Sequence, residues 1–218
     1  MNNQNQKTTP FNLKAIQIAF IAFAIYFSAP QSMAKGLSHG DQRNNSPGYM
    51  SSQADYIIPK VDIINKEGKK LSFIKEMDDG RPVIMSFVFT SCSAICPMLS
   101  HVFAQVQKKL VDGNEKIHLV SVSIDPENDT PTKLSDYAKK FVAGTQWDFY
   151  TGTINTSVDI QKAFNVYRGD KMNHESVILM RSAHGKRWLR LEGFMTPADV
   201  ISEYKKQLLT EQIMINKN

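Results

Sequence analysis

Along the chain, short apolar runs alternate with stretches whose apolar residues recur at helical spacing. Pro82 to Phe89 is almost continuously apolar, the pattern of a strand buried on both faces of a sheet. After Pro97 the period changes. Leu99, Val102, Phe103, Val106 and Leu110 stand at i, i+3, i+4, i+7 and i+11, one stripe of an amphipathic helix that Gly113 ends. Ile117 to Ile124 predicts a second strand, closed by Asp125-Pro126, and Pro131 opens a helix with Leu134, Tyr137, Ala138 and Phe141 facing inward. Trp147 to Tyr150 predicts a short strand, and Val158 to Phe164 a short helix. Val177–Met180 and Trp188–Leu191 flank His184-Gly185 as an antiparallel hairpin, and Thr196 to Asp199 caps a last helix running to about Leu209. Ahead of these, Ile57 to Ile64 predicts a strand that Asn65–Gly68 turns, with Lys70 to Phe73 pairing back.

The order is a hairpin, then βαβα, then strand, helix and a ββα ending. It predicts an α/β protein, a thioredoxin-like sandwich with a mixed central sheet and an N-terminal β-hairpin. Residues 56–210 make this single domain. Residues 1–34 have another character: Lys7 and Lys14, the uncharged apolar run Ala15 to Ala29, then Ser32-Met33-Ala34 as a small-residue exit. That is the pattern of a signal peptide cleaved after Ala34, or of an uncleaved membrane anchor once Phe11 and Leu13 lengthen the run. Both outcomes export the remainder, and the expected location is a bacterial periplasm, soluble or anchored. Membrane contact is expected only through an uncleaved N-terminus or a partner. Residues 35–55, rich in Gly, Ser, Asn and Gln, form a flexible lead-in, and residues 211–218 a C-terminal tail.

Composition removes several function classes. With 42% hydrophobic and 22% charged residues among 218, the chain is not wholly disordered. A formal net charge of +5, interspersed rather than clustered, argues against a nucleic-acid partner. The two cysteines, Cys92 and Cys96, are too few for a disulfide framework and close enough to be one site.

They lie in Phe89-Thr90-Ser91-Cys92-Ser93-Ala94-Ile95-Cys96-Pro97, between the end of the buried strand and the start of a helix. Ligand sites in parallel sheets form at that end of the strands. With Pro97 as the first helical residue, Cys96 falls at the cap, where free N–H groups and the helix dipole favour a thiolate. Three readings stay open: two small residues packed in a core, a redox-active disulfide, or two soft ligands awaiting a third. Thiolates suit Cu(I) or Zn(II), and an added imidazole suits Cu(II) as well.

Of the five histidines, His39 lies in the lead-in, His101 on the helix after Cys96, His118 within a strand and His184 in a turn. Solvated or turn roles are the simplest reading of these four, with His118 alternating outward. His174 follows a polar loop, Tyr167 to Asn173, that a thioredoxin-like sandwich brings toward the cysteines. Many proteins of that fold place a proline there, and this chain has none between Pro131 and Pro197. His174 is therefore the candidate third ligand. Met98 and Met172 are read first as packing residues that could add weak thioether contacts.

These segments resemble the SCO/SenC family of exported, copper-binding, thioredoxin-like proteins. The resemblance spans about Tyr56 to Leu209. Phe89-Thr90 with Cys92-x-x-x-Cys96-Pro97 is similar to the family's copper motif, and Val122 to Pro131 (VSIDPENDTP) to its strand-to-helix signature. His174 matches the third ligand. The resemblance implies copper, Cu(I) or Cu(II), held by Cys92, Cys96 and His174. It also implies a copper-receiving partner, a subunit of a respiratory oxidase whose binuclear copper centre is assembled. The alternative is a thiol-disulfide oxidoreductase in which Cys92 and Cys96 are catalytic and reduce partner cysteines; a peroxiredoxin-like peroxidase is more distant. Asp125 and Asp129 match signature positions and are expected to stabilise the turn and the helix start. Ser93 and Ala94 stand where the family commonly has Pro-Asp, and Asn173-His174-Glu175 where it often has Asp-His-Ser, so Glu175 alone could restore a nearby acid.

Overall fold

The computed structural model describes residues 48–215, with side chains to residue 210. The signal or anchor segment 1–34, the start of the lead-in and the last three residues lie outside the described residues.

Eight strands form one sheet in the order β1-β8-β7-β4-β5-β6-β2-β3. They are β1 (Tyr49–Asp55), β2 (Asp62–Asn65), β3 (Lys70–Ser72), β4 (Val83–Val88), β5 (His118–Ser123), β6 (Trp147–Thr151), β7 (Val177–Arg181) and β8 (Arg187–Gly193). The helices are α1 (Phe73–Met77), α2 (Ile95–Asp112), α3 (Pro131–Lys140), α4 (Ile154–Ala163) and α5 (Pro197–Ile215). β4, β5 and β6 run parallel, joined through α2 and α3, while β7, β8 and β1 extend one side antiparallel. The β2–β3 hairpin closes the other side through β6. This is the α/β sandwich with a mixed sheet that the element order predicts.

The central strands β4, β5 and β7 are buried throughout, and because side chains alternate along each strand they feed a core on either face of the sheet. In β4, Ile84 joins the core with Leu99, Phe103 and Val106 of α2 and Leu134 of α3, while Val83, Met85 and Phe87 join the core on the other face. There Phe164 is the hub. Its ring lies 5.1 to 6.5 Å from those of Tyr56, Phe73, Phe87 and Trp188. Some of the polar groups inside pair with one another. Ser121 on β5 accepts from the Trp147 indole at 3.0 Å, so the hydroxyl and the indole N–H satisfy each other.

Three boundaries differ from the sequence pattern. Tyr49–Asp55, expected in the flexible lead-in, is strand β1, paired with β8 over its whole length. Its exposed, polar residues show no apolar alternation, so pairing rather than side-chain pattern makes it a strand. The strand expected from Ile57 begins only at Asp62, because Pro59 lacks an N–H and its carbonyl accepts from Val61 in a turn. At the far end α5 continues to Ile215, so the expected tail boundary after residue 210 falls inside a helix. Thr196 and Asp199 do cap that helix reciprocally: the Thr196 N–H donates to Asp199 at 2.8 Å and the Asp199 N–H to Thr196 Oγ1 at 3.2 Å.

Phe164→Ala should leave a void at the aromatic hub and cost about 3–5 kcal/mol. Urea denaturation of the variant beside wild type would measure it.

Candidate metal centre

β4 ends at Val88, and its chain crosses the top of the sheet through Phe89 and Thr90 before α2 begins. Two buried acids from the segment after β5 hold the loops of this region, Asp129 the crossing itself and Asp125 the loop before β7. Asp129, fully buried, accepts from the Thr90 N–H at 3.1 Å, the Thr90 hydroxyl at 2.6 Å and the Ser123 hydroxyl at 2.6 Å. Asp125 accepts from Asn128 at 2.9 Å and from the Lys171 ammonium at 2.5 Å. By their place in the sequence both acids are expected to stabilise the turn and the helix start. Their partners show a further role, since each reaches a different loop of the site.

The helix begins two residues earlier than Pro97 suggests. Ile95 and Cys96 are its first residues, and Pro97 is third, still within the turn whose N–H groups lack helical acceptors. No side chain of the usual capping type serves the Ala94 cap. Cys92 does so instead: its sulfur lies 3.4 Å from the Cys96 N–H. Cys92, not Cys96, is therefore the thiol at the positive end of α2. Partial burial opposes its ionisation, but the N–H groups of Cys96, Ala94 and Ile95 outweigh burial and hold its pKa below the ordinary thiol value. Cys96 is the reverse case. It is fully buried, and desolvation pushes its pKa up, beyond what the Phe89 N–H at 3.4 Å offsets; the charges of Cys92 and Asp129 raise it further. The expected thiolate at Cys96 is corrected by this one-turn geometry.

His174 ends a short 3-10 turn, Lys171–Asn173. Its Nδ1 lies 2.8 Å from the Lys171 carbonyl, which can only accept, so that nitrogen carries the proton. In the neutral ring Nε2 then holds the lone pair, and it faces Cys96 Sγ at 3.4 Å. The Phe89 ring meets the imidazole edge-on at 5.1 Å. Cys92, Cys96 and His174 each present one donor atom, and all lie within 4.8 Å of one another. Two soft sulfurs and one imidazole nitrogen are a donor set suited to copper or zinc.

The other residues of interest fall away from this group. Glu175 restores no acid here: it pairs with Arg168 at 2.8 and 3.2 Å on the surface. Met172 is 70% exposed rather than packed, and Met98 is half-buried on α2. His101 lies against Phe141, His184 bonds Asp78 at 3.1 Å, and His39 is outside the described residues. His118, expected to face outward, is fully buried, with Nε2 3.0 Å from Asp148. Inward apolar neighbours alternate on both faces of β5, so its strand position alone could not reveal a solvent side.

The family model described as SCO1/SenC matches residues 50–209, and the chain belongs to that family. It is 29% identical over 162 residues to the SCO1 protein homolog of Bacillus subtilis, covering 69% of this chain and 82% of the relative. A putative copper-binding protein of Stutzerimonas stutzeri is 31% identical over 91 residues, 40% of this chain and 42% of that one. Among solved structures, BsSco is 28% identical with a TM-score of 0.60, covering 72% of this chain and 96% of its own; it is described as a cytochrome c oxidase assembly protein with a disulfide switch. Copper-bound ScoI of Arabidopsis thaliana has a TM-score of 0.60 over 72% of this chain and 99% of its own; at 21% identity it supports the fold.

The two thiols should differ in reactivity. On the reduced protein, iodoacetamide should modify Cys92 well before Cys96. The Cys92 rate should rise with pH through a midpoint below that of an unperturbed thiol, since only the thiolate attacks. Peptide mapping at a series of pH values checks both statements.

Proposed function

We propose that this chain is an exported copper carrier, binding copper as cargo through Cys92, Cys96 and His174 and passing it to a partner during assembly of a respiratory oxidase's binuclear copper centre. The observation that carries the reading is the convergence of two sulfurs and an imidazole nitrogen within 4.8 Å. Membership of the SCO1/SenC family supports copper over zinc, as do the copper-bound relatives. The signal-like segment 1–34 supports export, and among the described residues no helix is long and apolar enough to cross a membrane.

The mechanism follows from the residues present. Both thiols must be reduced, and each loses its proton as the metal enters. Cys92 ionises readily at the helix end. Cys96 gives up its proton only when a cation compensates for burial, so copper itself completes the site. The Lys171 carbonyl holds the His174 ring in the tautomer whose Nε2 is available. A cleft of about 480 Å³ opens beside His174 between Ile124, Glu127, Ile154 and Tyr167, so a partner's ligand can approach from the histidine side. Three protein ligands leave room for that incoming group, and transfer proceeds by ligand exchange without unfolding.

A second reading rests on the same cysteines. Cys92 is partly exposed with a lowered pKa and Cys96 is buried one turn away, an arrangement suited to attack by Cys92 and resolution by Cys96. As thiol-disulfide reductant, the chain would reduce partner cysteines, and the dithiol it needs is also the copper-binding form.

Anaerobic copper titration of the reduced full-length chain against a calibrated chelator distinguishes them. Wild type should bind one equivalent, and His174→Ala and Cys92→Ser/Cys96→Ser should each lose tight binding. Disulfide exchange should survive His174→Ala. Wild-type binding no tighter than the variants would leave disulfide exchange as the function.

A further inference from the structure

His174 hangs from one residue by two bonds. Its backbone N–H donates to the Lys171 carbonyl at 3.2 Å, and its ring Nδ1 donates to the same oxygen at 2.8 Å. That carbonyl belongs to a single 3-10 turn without a buried residue, so apolar packing does not hold the turn in place. Within the turn, Asp170 accepts from the Met172 N–H at 2.9 Å. Of the three turn residues Lys171–Asn173, Lys171 carries the side-chain hydrogen bond to the body of the protein among the described residues. Its ammonium reaches Asp125 Oδ2 at 2.5 Å, and the Asp125 side chain is only 4% exposed at the end of β5. The same ammonium sits 5.7 Å from the Phe89 ring that flanks the imidazole.

We propose that Lys171 is a positioning residue for the metal centre: its ion pair with Asp125 straps the histidine loop to the sheet and keeps His174 Nε2 aimed at Cys96. The inference rests on reading the three donors as a copper site. Exposed ion pairs usually contribute little. This one differs because Asp125 is buried and already fixed by Asn128, while the lysine's own carbonyl orients the ligand. Partners that orient metal-bound histidines typically change affinity 10–100-fold when removed.

The sign of the effect separates a strap from a mere charge. An ammonium near the site repels a copper cation, so a through-space role predicts tighter binding once the charge is removed. A strap predicts weaker binding. Copper affinity of full-length wild type, Lys171→Met and Lys171→Arg would be measured by chelator competition. Nitrogen NMR of the metal-free proteins would report the His174 tautomer, and melting curves would check folding. The expected result is affinity lower by on the order of 10-fold in Lys171→Met, restored in Lys171→Arg, with the Nδ1–H tautomer fixed in wild type and averaged in Lys171→Met. Equal or tighter copper binding by a folded Lys171→Met, or an unchanged His174 signal, would overturn the strap. Should wild type bind no copper, the carrier function fails, and the NMR comparison still decides whether Lys171 holds the histidine.

Discussion

A carboxylate removed from water must be fully hydrogen-bonded, and Asp129 meets that requirement by holding two elements together. It takes the Thr90 N–H and hydroxyl from the cysteine loop and the Ser123 hydroxyl from the end of β5. Asp125, four residues earlier, takes the Lys171 ammonium from the histidine loop. The turn between β5 and α3 therefore fixes both halves of a donor group whose members lie 78 residues apart. The site thus depends on the fold at this turn more than on either loop's own conformation.

The two cysteines owe their different characters to a single turn of helix. Because α2 starts at Ile95, Cys96 enters the helix and the apolar pocket of Val88 and Phe89, while Cys92 stays outside and receives the helix's free N–H groups. One sulfur is ready as an anion and the other is costly to ionise without compensation. That difference serves both metal uptake, which supplies the compensating charge, and thiol exchange, which needs one attacker and one sheltered partner. A symmetric pair would serve neither as well.

Much of this was legible in the chain. The apolar run Pro82 to Phe89, the helical stripe from Leu99 and the Cys92/Cys96 pair identified the central βα unit, and the polar loop before Val177 pointed to His174. Long-range pairing was not legible. β1 is a strand because β8 is beside it, and its polar residues carry no period that says so. The first turn of α2 is not legible because Pro97 is compatible with several early helical positions, and the true cap is a sulfur rather than a hydroxyl or carboxylate. Lys171 left no signal, since an ordinary surface lysine and one reaching a buried acid look alike in sequence.

Two of the histidines held by acids or carbonyls, His118 and His174, show what makes one of them a ligand. His118 is the more buried, yet its nitrogens face opposite ways, Nε2 toward Asp148 at 3.0 Å and Nδ1 toward Asp79 at 3.5 Å. The Asp79 oxygen nearest it is already taken by Arg81 at 2.5 Å, and Lys66 lies 3.6 Å from Asp148. The acids beside it are already paired with Arg81 and Lys66, and they are not soft donors sharing a focus, so the group is a structural clasp at the N-terminal end of β5. At the opposite end, His174 spends one nitrogen on a carbonyl and keeps the other for the sulfurs. Proximity to charge is common to both. The distinguishing property is a fixed tautomer whose free nitrogen shares a focus with other donors, and the β5–α3 turn provides that focus.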